Sequence, residues 1–158
     1  MFGLKKKSLY APCTGKVIPL QNVPDEAFAG GMLGEGFGIE PEEGRILSPV
    51  NGEVRDVTET GHAYTILSED GIELLVHVGI DTVSMKGEGF CPRVKVGERV
   101  RVGAPLVEAD LSLIKARGLS TVTVVLIPEA DRLKNTEYYY KNAVGGKDVV
   151  MQFDWKKG

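Results

Sequence analysis

The sequence predicts an all-β fold, a flattened antiparallel β-sandwich or barrel with a duplicated motif and one or two short helices. Short runs rich in branched aliphatic residues recur along the chain, and glycine and proline separate them, which is the pattern of many short strands. Helical patterns are few. The 158 residues, of which 42% are hydrophobic and 26% charged, suit one domain with a substantial core. We expect residues 1–8 to be a loose leader and residues 9–158 to form a single β domain.

The first third of the chain contains an internal repeat and two segments between strands. Residues 11–17 and 48–54 share the pattern P-x-x-G-x-V, a turn followed by a strand, which indicates a duplicated β-motif. Residues 23–28 have the pattern of one helical turn. The glycine-rich run over 30–41 lacks the spacing and the strand–helix frame of a dinucleotide loop. We expect a flexible loop there, which is also a candidate wall of a site.

The second half continues with strands, interrupted by one helix. Residues 110–118 are predicted to be a short helix, with Asp110 as its N-cap and Gly118 at its end. Residues 120–127 and 148–155 are each predicted to be a strand.

Two predicted strands near the centre of the chain carry both histidines, His62 and His77. A turn signal, SEDG, lies between them and indicates a hairpin. With a loop centred on Glu69 and Asp70, the two histidines face each other directly, with Cβ atoms about 4.5–5.5 Å apart. With a loop at Asp70 and Gly71 they become diagonal neighbours at roughly 7–8 Å. An odd-length loop or a bulge would separate them.

The predicted register gives the hairpin a core face and a histidine face. The core face is almost wholly apolar and comprises Ala63, Thr65, Leu67, Ile72, Leu74, Val76 and Val78. The histidine face comprises His62, Tyr64, Ile66, Glu73, Leu75 and His77. Two histidines that meet on one face favour a chemical role, because imidazole acts as a nucleophile, proton carrier or metal ligand near neutral pH.

The overall charge and the cysteines exclude several classes of function. A net charge of −3 gives no electrostatic basis for binding nucleic acid or an anionic membrane surface. No run is long and apolar enough for a signal peptide or a membrane span, so direct membrane insertion is not expected. Cys13 and Cys91 have no CxxC spacing, which favours reduced thiols over a metal site or a disulfide. Together these features predict a cytoplasmic protein.

The residues around the second histidine also resemble a known family. The run G-H-A…G-I-E-L-L-V-H-V-G-I-D-T-V-x-x-K-G-E-G-F is similar to the glucose-class enzyme IIA proteins of the bacterial phosphoenolpyruvate:sugar phosphotransferase system. Further resemblance lies in PCTGKVIPLQNVPDEAF, MLGEGFGIEP and VKVGERVRVGAPLVEADL, and it covers roughly residues 10–125. The tail after Ile127 has no clear counterpart.

The resemblance implies a phosphoryl carrier of the sandwich fold. His77 would accept the group from the phosphohistidine of HPr and pass it to a cysteine of the enzyme IIB domain of a sugar permease. His62 would lie beside it and assist, and Thr60 and Asp81 would belong to the site. The family usually has Asp where Glu35 stands, an acid thought to meet a partner arginine. Regulatory target proteins are further candidate partners.

The chemistry of such a transfer suits two neighbouring imidazoles. A neutral ring nitrogen attacks phosphorus in line, and a second ring stabilises the developing charge, so no metal is required. If a backbone carbonyl holds Nδ1–H of His77, Nε2 is left as the nucleophile. No cofactor is expected beyond the transient phosphohistidine, with zinc at His62 and His77 as a candidate regulator.

Apolar residues near the histidines predict a docking surface. Tyr64, Ile66 and Leu75 share the predicted histidine face, and the resemblance places Phe37 and Val83 in loops at its rim. Exposed apolar side chains favour a surface that partners cover part of the time. We therefore predict a shallow apolar ring that receives successive partners. The alternative is that a neighbouring strand or loop buries these side chains.

Two other functions fit parts of the sequence. In a zinc hydrolase, His62, His77 and Asp81 would be ligands, although neither H-x-H nor HExxH is present. In a biotinyl- or lipoyl-like carrier domain, GERVRVGAPLVEAD would belong to the fold and Lys86 would be the modified lysine.

Overall fold

The structure confirms the all-β prediction. The computed structural model describes residues 6–156, and these contain fourteen strands, two short α-helices and three 3-10 helices. The strands are β1 (Lys7–Tyr10), β2 (Gly15–Pro19), β3 (Glu35–Pro41), β4 (Arg45–Leu47), β5 (Gly52–Val57), β6 (Ala63–Ser68), β7 (Glu73–Val78), β8 (Phe90–Pro92), β9 (Arg99–Val100), β10 (Pro105–Ala109), β11 (Thr123–Ile127), β12 (Leu133–Tyr138), β13 (Asn142–Ala143) and β14 (Val149–Trp155). The α-helices are α1 (Glu26–Ala29) and α2 (Leu111–Ala116), and the 3-10 helices are Leu20–Asn22, Thr82–Met85 and Ala130–Arg132. None of the helices within residues 6–156 combines the length and the hydrophobicity needed to cross a membrane.

Three sheets form the sandwich in the described part of the chain. The largest has eight strands in the order β13-β2-β3-β11-β7-β6-β5-β9, and the other two are β1-β14-β12 and β4-β10-β8. The paired strands are antiparallel. Apolar side chains from all three sheets fill the main core, among them the fully buried Ile66, Leu106 and Phe153. Because β7 and β11 lie at the middle of the largest sheet, residues of β7 have a rigid support on both sides.

The N-terminal strand and the tail of the chain share one sheet. β14 pairs with β1 on one side and with β12 on the other. Lys7 and Ser8 belong to β1, so the predicted loose leader does not extend to residue 8, and residues 1–5 lie outside the described residues. The strand predicted over 148–155 is observed one residue shorter at its start. The tail that had no counterpart in the resemblance therefore completes the sandwich.

The repeated sequence motif begins a strand in both places. Gly15 is the first residue of β2 and Gly52 the first residue of β5. A Cβ at Gly15 would lie 2.0 Å from the carbonyl oxygen of Glu40, and one at Gly52 would lie 2.3 Å from that of Leu67. Glycine is required in both copies because the backbone of the next strand leaves no room for a side chain.

Aspartate caps both predicted helical segments. The Asp25 carboxylate accepts hydrogen bonds from two backbone N–H groups of α1, one of them that of Phe28. The Asp110 carboxylate accepts one from the N–H of Leu113 in α2, and that helix ends before Gly118, as predicted. An N-cap supplies acceptors for N–H groups that have none within the helix. Capping holds the four-residue α1 in place, and with it Phe28, which contacts the site described below.

Residues 35–41 of the glycine-rich run form an interior strand, so the prediction of a flexible loop is wrong there, whereas residues 30–34 form the turn that precedes it. β3 lies between β2 and β11 in the largest sheet. Phe37 is fully buried in the main core and is not a residue of a site rim. A Cβ at Gly38 would lie 2.8 Å from Val23 and 3.1 Å from Ile18. Glycine therefore lets the segment that contains α1 pack closely against the outer face of the sheet.

The histidine hairpin has a register one residue away from the predicted ones. β6 pairs with β7 so that Ala63, not His62, lies opposite His77. The loop between the strands has three residues, because Ser68 N–H donates to the carbonyl of Ile72, and its last residue, Gly71, has φ +82°. A three-residue loop with glycine in the left-handed region is a common hairpin type. Because the loop length is odd, every residue on β6 lies on the face opposite to the one predicted for it.

The shifted register moves two predicted docking residues into the main core. Tyr64 and Ile66 are fully buried there, so their assignment to an apolar docking ring is wrong. β7 keeps its predicted orientation, with Leu75 and His77 on the outer face of the sheet.

A second apolar cluster, the satellite core, covers part of this outer face. Its buried residues are Ile18, Leu20, Val23, Phe28, Ile80, Val122, Val124 and Leu126. Leu75 is half-buried and packs against it. Leu75 therefore packs against this cluster, which is what the alternative to the docking ring predicts for it.

Leu75→Asp is expected to lower the free energy of unfolding by about 2–4 kcal/mol, because the carboxylate would lose water without gaining a partner. Chemical denaturation at neutral pH measures the loss. The exposed Val83→Asp is the matched control and is expected to leave stability nearly unchanged. Equal stability of both variants and the wild type would contradict the packing role of Leu75.

Candidate functional site

The two histidines meet, as predicted, although not through the predicted register. Their ring centroids are 4.9 Å apart and the ring planes are inclined at 81°. His62 precedes the first residue of β6, and its carbonyl accepts a hydrogen bond from Val78 N–H at 2.8 Å. The alternation of side chains along β6 therefore does not determine where the His62 ring lies. The bend before the strand brings the ring to His77.

Two side-chain hydroxyls hold that bend in place. Tyr64 donates its hydroxyl hydrogen to the carbonyl of Gly61 at 2.9 Å, and Gly61 has φ +73°. The Thr58 hydroxyl oxygen accepts hydrogen bonds from the backbone N–H groups of His62 and Ala63, each at 3.1 Å. Tyr64 thus positions the backbone before His62 from inside the core, and it offers no surface to a partner.

Thr60 lies beside His62, where the family resemblance implied it. Its hydroxyl oxygen is hydrogen-bonded to Nδ1 of His62. The Thr58 hydroxyl oxygen is a more distant neighbour of the same nitrogen, at 3.3 Å. With Nδ1 engaged by hydroxyls, Nε2 is the nitrogen of His62 that is left for other contacts.

His77 is held on three sides. Its Nδ1 lies 2.8 Å from the carbonyl oxygen of Gly79, and a carbonyl only accepts, so Nδ1 carries the hydrogen. The unprotonated nitrogen is then Nε2. The Phe28 ring meets the imidazole edge to face with centroids 5.1 Å apart, and the His62 ring meets it from another direction. The ring therefore has little freedom to rotate.

The Gly79 carbonyl is placed by a backbone that requires glycine. Gly79 has φ +75°, and a Cβ there would lie 2.4 Å from Cγ2 of Thr82 and 3.0 Å from the carbonyl oxygen of Ser120. Gly79→Ala is expected to lower the free energy of unfolding by about 2–4 kcal/mol through strain and crowding. It should also shift the His77 Nδ1–H resonance, because the acceptor moves. An unchanged resonance and melting temperature would contradict this account.

Burial keeps both imidazoles neutral. It lowers the pKa of His62 from 6.5 to about 4, and the neighbouring His77 adds to the effect. Burial also lowers the pKa of His77, against the opposing effects of the Gly79 hydrogen bond and of the carboxylates of Asp25 and Asp81. Near neutral pH both rings are therefore uncharged, which leaves a lone pair on Nε2 of His77 available for attack.

The lowered pKa of His62 predicts how stability changes with pH. The unfolded chain binds a proton at this residue near pH 6.5 and the folded chain only near pH 4, so stability falls as the pH drops through this window. The expected slope for one such proton is about 1 kcal/mol per pH unit. Denaturation curves of the wild type and of His62→Gln check this, because the variant should lose less stability between those pH values. Parallel curves would contradict it.

The sequence analysis did not predict two residues of the site. Asp25 and Phe28 both belong to the segment predicted as a helical turn, and the structure brings them to His77. The N-cap pattern in the sequence gives the helical turn but not the strand it packs on. Asp81 lies near His77 as expected, in a left-handed conformation with φ 60°.

The two remaining residues predicted to contact partners, Val83 and Glu35, are both exposed but lie in different surroundings. Val83 is 56% exposed in the 3-10 helix that follows Asp81. Glu35 is exposed at the start of β3, but its charge acts on Tyr138 and Tyr140 and is not among the causes of the pKa shift at His77.

Within residues 6–156, no group of three or more histidine, cysteine, aspartate or glutamate side chains is arranged to hold a metal ion. His62, His77 and Asp81, the ligands of the hydrolase alternative, do not form such a group.

A neutral imidazole held by a carbonyl beside a second neutral ring, on a rigid sandwich, suits a phosphohistidine relay protein. Comparison with known proteins agrees. Residues 7–133 match the family model described as phosphoenolpyruvate-dependent sugar phosphotransferase system, EIIA 1. The chain belongs to this family, and it is therefore a phosphocarrier component of that system. The hydrolase and the biotinyl- or lipoyl-like alternatives have no support in these comparisons.

Individual relatives cover most of the chain. A PTS system glucose-specific EIIA component from Halalkalibacterium halodurans is 44% identical, over 84% of this chain and 83% of that protein. One from Buchnera aphidicola is 38% identical, over 95% of this chain and 93% of that protein. The solved structure of glucose permease IIA from Mycoplasma capricolum superposes with a TM-score of 0.88 at 32% identity, covering 96% of this chain and 98% of that chain.

Proposed function

We propose that the protein accepts a phosphoryl group on Nε2 of His77 from phospho-HPr and passes it to a cysteine of the enzyme IIB domain of a sugar permease. The hydrogen bond from Nδ1 of His77 to the Gly79 carbonyl is the observation that carries this proposal, because it leaves Nε2 as the free nucleophile. The relatives named glucose-specific support glucose as the transported sugar.

Each transfer exchanges one bond to phosphorus for another. In the first, the Nε2–P bond at His77 forms as the N–P bond of the donor phosphohistidine breaks, and the donor imidazole leaves with the electron pair. In the second, a cysteine thiolate forms the S–P bond as the His77 N–P bond breaks. The transferring group spreads negative charge over its outer oxygens, so catalysis rests on positioning and electrostatic stabilisation.

His62 is proposed to supply part of that stabilisation. When the Thr60 hydroxyl donates to Nδ1 of His62, Nε2 of His62 carries the hydrogen and is a donor for a phosphoryl oxygen on His77. Neutral His62 fits this role, because the lowered pKa avoids a charged ring whose field would make His77 a weaker nucleophile.

Exposed apolar residues and acids around the site are proposed to dock the partners. Met32 is 85%, Leu33 47% and Val83 56% exposed, and the first two lie in the turn that follows α1. Exposed apolar side chains favour a surface that partners cover. Asp25 and Asp81 add negative charge beside His77. A partner with basic residues around an apolar patch complements this surface.

Transfer is proposed to proceed without a metal, in the cytoplasm, where HPr and the IIB domain are available. Zinc at His62 and His77 is proposed as a candidate regulator, and regulatory target proteins are proposed as further candidate partners.

The proposal is tested by incubating the protein with phosphoenolpyruvate, enzyme I and HPr in EDTA, and measuring its intact mass. We expect a gain of one phosphoryl group that is labile in acid and is lost when an enzyme IIB domain is added. Failure of the wild-type protein to gain the group would overturn the proposed function, and a gain that requires added metal would overturn the metal-free mechanism.

A further inference from the structure

Thr58 is the first residue after β5, and its backbone closes the connection between β5 and β6. Its N–H donates to the carbonyl of Ala63 at 3.1 Å, and its carbonyl accepts from the N–H of Gly61 at 2.8 Å. The two strands pair up to the residue that precedes Thr58. The Thr58 side chain therefore starts from a fixed point at the base of the bend that carries His62.

The capacity of the Thr58 hydroxyl to accept hydrogen bonds is fully used. Its oxygen accepts from the backbone N–H groups of His62 and Ala63, each at 3.1 Å. A hydroxyl has two acceptor positions and one hydrogen to donate. Only that hydrogen is left, and two acceptors lie near the oxygen: Nδ1 of His62 at 3.3 Å and the carbonyl oxygen of Ala63 at 3.4 Å.

This arrangement makes the two nitrogens of the His62 ring unequal. The ring is neutral near neutral pH, because burial lowers its pKa to about 4, so one nitrogen carries a hydrogen and the other does not. A hydrogen on Nδ1 would point toward an oxygen of Thr58 that has no acceptor position left. With the hydrogen on Nε2, Nδ1 is an acceptor that the hydroxyls of both Thr58 and Thr60 can approach with their hydrogens.

We propose that Thr58 is a positioning residue that holds His62 in the tautomer with its hydrogen on Nε2. Thr60 alone does not decide the tautomer, because its hydroxyl can donate to an unprotonated Nδ1 or accept from a protonated one. Thr58 decides it because it can only donate. The inference rests on the proposed function in one step, which is the use of the Nε2 hydrogen as a donor to a phosphoryl oxygen on His77.

The tautomer is measured by 15N NMR of the imidazole nitrogens near neutral pH, because protonated and unprotonated ring nitrogens resonate at well-separated frequencies. His62→Gln assigns the signals to His62. We expect the wild type to show Nδ1 at the unprotonated frequency and Nε2 at the protonated one. In Thr58→Val the two resonances should move toward each other, because the Thr60 hydroxyl can then also accept. Thr58→Ser keeps the hydroxyl and should restore the wild-type pattern.

The same variants test the consequence for phosphoryl transfer. Thr58→Val is expected to pass the group to an enzyme IIB domain about fivefold more slowly, which is the factor that corresponds to one ordinary hydrogen bond. The kcat of uptake from phospho-HPr should stay unchanged, because the hydrogen bond from Nδ1 of His77 to the Gly79 carbonyl is intact. Thr58→Ser should transfer at the wild-type rate.

Ser68 offers a matched control for the loss of stability. Its buried hydroxyl oxygen also accepts hydrogen bonds from two backbone N–H groups, those of Asp70 and Ile72, but at the other end of β6. Ser68→Ala and Thr58→Val each leave two N–H groups without that acceptor, so both should melt at a lower temperature than the wild type. Only Thr58→Val should change the tautomer and the transfer rate.

Thr60→Val tests the proposal without a change at Thr58, in case Thr58→Val does not fold. This variant should keep the hydrogen of His62 on Nε2, because the Thr58 hydroxyl can still only donate. A hydrogen on Nδ1 in the wild type or in Thr60→Val would overturn the proposal.

Two further outcomes would also overturn it: a folded Thr58→Val protein with the wild-type tautomer, or equal slowing of transfer by Thr58→Val and Ser68→Ala. If the wild type takes no phosphoryl group, the proposed function fails, and the NMR measurement still decides whether Thr58 sets the tautomer of His62.

Discussion

His77→Ala is expected to take up no phosphoryl group from phospho-HPr, because the variant lacks the nitrogen that forms the new bond to phosphorus. The loss should be complete rather than partial, since His77 is the site residue whose Nδ1–H is held by a backbone carbonyl so that Nε2 is left unprotonated. Intact mass after incubation with phosphoenolpyruvate, enzyme I and HPr measures it.

The control for this variant is its fold. Circular dichroism should show the strand content of the wild type, because the imidazole lies on the outer face of the sheet and the main core is untouched. A folded His77→Ala protein that is fully labelled would show that another residue is the acceptor.

His62→Gln is expected to be phosphorylated by phospho-HPr but to pass the group on about 100-fold more slowly. The nucleophile and its carbonyl are intact in this variant, whereas the donor held by Thr60 toward the phosphoryl group is replaced by a flexible amide. Loss of one such preorganised donor costs about 100-fold to 1,000-fold in rate. Rapid mixing of the labelled variant with an enzyme IIB domain measures the transfer step alone.

Thr60→Val is a companion variant for this experiment. Valine has nearly the shape of threonine but cannot hold Nδ1 of His62, so a similar but smaller slowing is expected if the ring must be oriented. If His62→Gln cannot be labelled while His77→Gln can, the roles of the two histidines are reversed.

The hairpin shows which features a residue pattern predicts and which it does not. Branched aliphatic residues indicated both strands correctly, because strand formation depends on their local fit to a half-buried sheet. The register depended on whether the loop has two or three residues, and SEDG is compatible with either. A shift of one residue then moved Tyr64 and Ile66 from the predicted site face into the core.

The two histidines meet as predicted, although the predicted register of the hairpin was wrong. His62 lies in a bend that Tyr64 and Thr58 hold, outside the alternation of β6. Cross-strand pairing could not have predicted this geometry. The bend depends on hydrogen bonds between the backbone and two side chains, that of Tyr64 within the core and that of Thr58 at the end of the preceding strand.

The acidic residues also show what sequence predicts and what only packing decides. Glu35 was chosen by resemblance, and its carboxylate lies beside Tyr138 and Tyr140. Asp25 has a clear local role as an N-cap, and only the packing of α1 on the outer face of the sheet brings it to His77. An N-cap pattern predicts where a helix begins but not what lies next to it.

The sequence by itself determined the all-β class, the capped helices, the repeated glycine turns and the run of residues around His77 that marks the family. Each of these depends on neighbours in the chain or on a short contiguous motif. The tertiary structure alone decided which face of β6 is buried, that residues 35–41 of the glycine-rich run form an interior strand, and that Asp25 joins Asp81 beside the nucleophile. These depend on contacts between distant segments, such as Gly38 against Val23 and Phe28 against His77, and a one-residue change in a loop is enough to alter them.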